Sequence, residues 1–73
     1  MNDTGKISIN AFLRKKRIES GLSQRNLAKK SGVCINTIGN FERSLSVPRL
    51  KTVVRISNVL EIEMSDLVNE CEL

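Results

Sequence analysis

Apolar residues between Ile9 and Val68 recur at three- and four-residue steps, in short blocks broken by Gly, Ser or Pro. That period is helical, and nowhere does a sustained strand-like alternation replace it. Ile9, Phe12 and Leu13 form one face of a first helix. Ser8 is placed as its N-cap, with Ile7 and Phe12 spaced to staple around it. The stripe fails at Arg14-Lys15-Lys16-Arg17, so the rest of this helix is solvated, and Gly21 supplies the left-handed residue that ends it. A second helix starts just after Ser23, with Leu22 and Leu27 at staple spacing. It buries Leu27 and Ala28 and turns Arg25, Lys29 and Lys30 outward. A third helix covers about residues 35–42. Val33 and Ile38 flank its cap position, Cys34, and Ile38 and Phe41 point inward. Gly39 costs that helix about 1 kcal/mol against Ala, and so short a helix does not stand alone in water, so packing must hold it.

Between the second and third helices, Gly32 takes the positive φ of a tight turn at least cost. Ala28 is the small residue that two steeply crossing helices need at their contact. Residues 22–43 therefore read as a helix-turn-helix. Residues 44–49 form a loop containing Pro48. A fourth helix over about 50–60 carries a core stripe of Leu50, Val53, Val54, Ser57 and Leu60. Ile56 and Val59 widen this stripe beyond a single face, so this helix is either central or shared with a partner. A short fifth helix, about 64–70, turns Leu67 and Val68 inward. The expected architecture is an all-α, compact five-helix bundle over residues 7–70. A mobile tail (1–6) precedes it and a C-terminal tail (71–73) that includes Cys71 follows.

The 73 residues allow one small domain. No His is present, and the two Cys stand at 34 and 71, so spacing assembles no metal set and no disulfide framework. That fits a reducing, cytoplasmic setting. No apolar run reaches membrane-spanning length and no signal-peptide pattern is present. Charge changes the picture more. Residues 1–32 hold eight Lys/Arg against Asp3 and Glu19, whereas from Ile56 onward every charged side chain is acidic. One end of the molecule attracts a polyanion and the other does not.

The third helix presents Ile35, Asn36, Thr37, Asn40 and Arg43 on its free face, and such a helix can enter the major groove of DNA. An Asn amide bonds adenine bidentately at N6 and N7, so Asn36 and Asn40, one turn apart, are candidate base readers; otherwise they are solvated amides. Thr37 offers a methyl to thymine or a hydroxyl to phosphate. Ile35 packs either on a thymine methyl or back onto the second helix. Phosphate candidates are Ser23 and Gln24 at the start of the second helix, where free N–H groups attract anions, together with Arg25, Arg43, Ser44, Ser46, Arg49 and Lys51. Ser23 serves equally well as a plain cap. Cys34 is either a thiol sensor at a helix N-terminus or a small apolar cap.

Gly21-Leu22-Ser23-Gln24, Leu27-Ala28, Ser31-Gly32-Val33, Thr37-Ile38, Phe41-Glu42, Pro48, Leu50 and Ser65-Asp66-Leu67-Val68 stand at offsets that resemble the Cro and phage-repressor type of helix-turn-helix, the XRE-like family. The resemblance spans residues 13–68. It implies a lambda-repressor-like fold that binds operator DNA, usually as a dimer, with Gln24 on the DNA backbone. It also implies a structural pair between Arg17 and Glu42. The chain departs from the pattern with Ser44 where Gly is common, Gly39 inside the third helix, and Cys34 in place of Ser or Thr.

The expected function is a sequence-specific double-stranded DNA-binding transcriptional regulator of bacterial or phage type, localised to the cytoplasm and nucleoid. It would act as a symmetric homodimer through helices 4 and 5 on half-sites about 34 Å apart. The competing reading is an antitoxin-like or adaptor module that keeps the fold without reading DNA. Without His, a Gly-rich phosphate loop, a paired-acid cleft or a metal set, nothing points to an enzyme. No cofactor, small-molecule ligand or membrane partner is expected.

Overall fold

The computed structural model describes residues 6–72, in the order β1 (Ile7–Ser8), α1 (Ile9–Glu19), α2 (Gln24–Ser31), α3 (Ile35–Glu42), α4 (Leu50–Leu60), α5 (Met64–Glu70) and β2 (Cys71–Glu72). Residues 1–5 of the expected tail 1–6, and residue 73 of the expected C-terminal tail, lie outside the described part. Local chemistry sets the boundaries. Ser8 Oγ accepts from Ala11 N–H and Ser23 Oγ from Asn26 N–H, so each hydroxyl satisfies one of the open donors at a helix start. At the end of α1, Gly21 adopts φ 73°, with Gly21 N–H on Ile18 O and Leu22 N–H on Arg17 O. That is a Schellman cap. The same pair of bonds closes α3 at Ser44 and Leu45, onto Phe41 O and Asn40 O, but here a Ser carries the left-handed backbone at φ 60°.

Phe12, Leu13, Leu27, Val33, Ile38, Phe41, Ile56, Leu60 and Leu67 form one core drawn from all five helices. Each fully buried side chain of this kind contributes roughly 1.5–3 kcal/mol against exposure. α2 packs on both α3 and α4, and α1 packs on α3 and α4. The back of α3 is thereby clamped from two sides.

Packing selects a different stripe of α4 from the expected one. Ile56 is fully buried with Leu60 and Ser57, and Val53 is partly buried, whereas Leu50 is 76% exposed and Val54 is exposed. The helix offers two overlapping apolar stripes. Docking against α1 and α2 takes the one through residues 53, 56 and 60, and Leu50 and Val54 fall on the neighbouring face. In α5, Leu67 enters the core but Val68 is exposed, because so short a helix turns only one of two adjacent residues inward.

The reading of Cys71 as part of a loose tail is also corrected. Its side chain is buried, and Cys71 pairs in parallel with Ile7 while Glu72 pairs with Ser8. The two ends of the fold are thus stitched together. Lys6 Nζ adds a bond to Val68 O at 3.3 Å. Burial, with the Glu70 carboxylate alongside, pushes the Cys71 thiol above its ordinary pKa, so it stays protonated.

Candidate nucleic-acid interface

The turn between α2 and α3 is closed by three short-range devices. Gly32 takes φ 75° and its N–H bonds Ala28 O at 3.0 Å. Ser31 Oγ donates to Leu27 O at 2.7 Å and accepts from Val33 N–H at 3.2 Å. Val33 is buried beneath the bend. Ile38 and Phe41 are fully buried and anchor the back of α3. Its opposite side carries Ile35, Asn36 and Arg43 exposed, and Thr37 and Asn40 half-buried. Cys34 precedes the helix, exposed and without a side-chain capping bond.

A polar network fixes the C-terminal end of α3. Glu42 Oε2 accepts from Arg17 Nε at 2.7 Å. Glu42 Oε1 accepts from Arg17 Nη2 at 2.9 Å and from Gln24 Nε2 at 3.0 Å. Arg17 Nη1 also donates to Leu22 O at 2.7 Å, and Arg14 Nε stands 3.9 Å from the same carboxylate. The Glu42 side chain is 3% exposed and that of Arg17 13%. Burial alone would raise the Glu42 pKa. The hydrogen bonds from Arg17 and Gln24 and the two guanidinium charges outweigh it, and the carboxyl is held below its ordinary value. The bidentate bond to Glu42 keeps Arg17 firmly protonated against the pull of burial. The network joins α1, the start of α2 and the end of α3 in one charge-assisted unit.

No local pattern signals the role of Asn10. Its side chain is buried in the first turn of α1, and Nδ2 donates to Phe41 O at 2.9 Å and Ser46 O at 2.6 Å. It therefore ties α1 to the last turn of α3 and to the following loop. Gln24 is likewise drawn inward, with one amide N–H on Glu42 rather than pointing only to solvent. Arg25 is exposed on α2, and with Ala28, Lys29 and Ile35 it lines a shallow hollow of about 380 Å³ between the two helices. Ser44 is exposed on its strained backbone. Arg49, the cap position of α4, and Lys51 in its first turn are exposed as well. Arg43 does not extend away from the helix: its Nη2 donates to Asn40 Oδ1 at 3.2 Å.

A short helix pinned by its apolar back, with amides and cations on its front and a second helix locked across it, defines a DNA-binding helix-turn-helix. The family model described as Helix-turn-helix matches residues 13–67, and the chain belongs to that family, the XRE type that includes Cro and the phage repressors. The family binds double-stranded DNA and is not an enzyme family. No curated protein and no solved structure matches the chain. No helix among the described residues is long and apolar enough to cross a membrane.

Proposed function

We propose that the chain is a sequence-specific transcriptional regulator of bacterial or phage type that binds a palindromic operator as a symmetric dimer, with α3 in the major groove. The observation that carries this reading is the two-sidedness of α3: Ile38 and Phe41 fully buried, with Ile35, Asn36, Thr37, Asn40 and Arg43 facing away from the core. Asn36 reads a base edge, Ile35 packs on a thymine methyl, and Thr37 contacts a base or the adjoining phosphate. Ser23, Gln24 and Arg25 at the start of α2 hold the DNA backbone, where open N–H groups and the helix dipole favour an anion. Gln24 uses one amide N–H on Glu42 and has a second for a phosphate. Ser44, Arg49 and Lys51 are further phosphate contacts.

The dimer rests on the face that packing leaves uncovered. Val47, Leu50, Val54 and Met64 are exposed around a groove of about 520 Å³ that also reaches Ile9, Pro48 and Ile62. Among the described residues no charged side chain lines it, so a second copy can cover it without burying one of these charges. Exposed apolar surface of this extent on α4 and α5 is what a partner removes from water.

Selection from randomised duplexes tests the proposal. It should enrich two inverted half-sites about 34 Å apart, and Asn36→Ala should lose preference at one position in each. Affinity should fall steeply as salt rises, by counterion release. A selection that enriches no motif contradicts the regulator reading and favours an interaction module of the same fold.

A further inference from the structure

We propose that Arg43 reads a guanine in the major groove, held by Asn40 with its guanidinium lying over Gly39. This rests on the DNA-reading role of α3 and departs from the expectation that Arg43 only grips a phosphate. At about 100° per residue, Gly39, Arg43 and Asn36 fall within roughly 60° of one another on the helix, so Arg43 shares the exposed face with Asn36. Its guanidinium folds back along that face. A Cβ added at Gly39 would lie 3.4 Å from Arg43 Nη1 and 3.9 Å from its Cζ and Nη2. Gly39 is accordingly buried although it stands on the outward side.

A glycine inside a short helix weakens that helix; here an added Cβ would meet the guanidinium at ordinary van der Waals distance, and only a longer side chain would take its space. Hydrogen bonding settles which base the pair suits. Asn40 Oδ1 accepts from Arg43 Nη2 and keeps one lone pair, whereas the guanidinium of Arg43 has only donors to offer. Guanine presents two acceptors, O6 and N7, whereas adenine presents one acceptor and one donor. The donor-only guanidinium of Arg43 matches guanine. Asn40, expected as an adenine reader, becomes a positioning residue for Arg43.

The test uses the full chain on its selected operator, with guanines replaced one at a time by 7-deazaguanine, which lacks the N7 acceptor. Wild type should lose roughly tenfold in affinity at one guanine per half-site, as expected for a broken bidentate contact. Arg43→Ala should lose a similar factor on the parent operator and become insensitive to 7-deazaguanine at that base alone. Arg43→Lys keeps the charge without the planar fork and should recover general binding but not the guanine preference. Gly39→Leu, checked for helicity, should lose the same preference by displacing the guanidinium. If Arg43→Ala weakens all duplexes equally, lowers the salt slope by about one and leaves the guanine profile unchanged, Arg43 is a phosphate contact and the proposal fails. A wild-type chain that enriches no motif overturns this proposal together with the regulator reading, whereas an intact motif with an unaltered profile overturns this one alone.

Discussion

Replacing Glu42 by Ala removes the acceptor that Arg17 Nε, Arg17 Nη2 and Gln24 Nε2 share. Three donors lose their partner, and the Arg14 and Arg17 guanidinium groups both lose the carboxylate beside them. Breaking a buried pair from one side costs about 3–5 kcal/mol, because the surviving charge is left uncompensated. Arg17 keeps its bond to Leu22 O and a little exposure, which allows some rehydration and puts the expected loss near the lower end, about 3 kcal/mol. For a domain of this size each kcal/mol moves Tm by about 4–8 °C, so Glu42→Ala should melt roughly 12–24 °C lower. Thermal and urea unfolding followed by circular dichroism measures this, with an unchanged m-value showing that stability and not compactness has altered. Arg17→Met combined with Glu42→Leu should recover most of the loss, because apolar side chains of similar volume replace a buried pair at little cost. A drop below about 4 °C for Glu42→Ala would mean the pair behaves as an exposed surface bridge. A double variant no better than the single one would refute the charge argument.

Because the folded Glu42 pKa is lowered, its contribution is complete above the ordinary Glu value of about 4.3 and is lost as pH falls below that through the folded value. Wild-type Tm should therefore drop on acidification below about pH 4.3, and Glu42→Gln should drop less over the same range. Ser44→Gly should stabilise by about 0.5–1 kcal/mol, measured by urea unfolding, because φ 60° strains a residue with a Cβ; a destabilised Ser44→Gly variant would contradict this. Leu50→Glu should leave the unfolding free energy of the monomer within about 0.5 kcal/mol of wild type, as the side chain is largely exposed. It should also shift sedimentation toward monomer and weaken operator binding, and a wild-type chain that sediments only as monomer with and without DNA would remove the dimer.

The helices, their order and the turn at Gly32 were legible because each is written locally, in staples, hydroxyl caps and a glycine at each of the first two helix ends. What the sequence could not decide was set by packing between distant segments. α4 carries apolar side chains on more than one face, and only docking on α1 and α2 shows that Ile56 goes inside while Leu50 and Val54 stay out. Cys71 looked like a loose end because its partner, Ile7, is at the other end of the chain. Within the site, the Arg17–Glu42 pairing was suggested by family resemblance and not by spacing. Asn10 carried no local signal, since its acceptors, Phe41 O and Ser46 O, are backbone groups that any residue types would supply. The fold of Arg43 over Gly39 follows from one turn of helix, but composition alone made Gly39 look only like a weak point.

The claim that α3 is the reading element is tested most directly by titrating the isotope-labelled chain with its selected duplex and following backbone amide shifts by NMR. The largest changes should fall on Ile35 to Arg43 and on Gln24 and Arg25, with α5 nearly unmoved. Changes concentrated around Val47, Leu50, Val54 and Met64, with Asn36 and Asn40 unaffected, would contradict it.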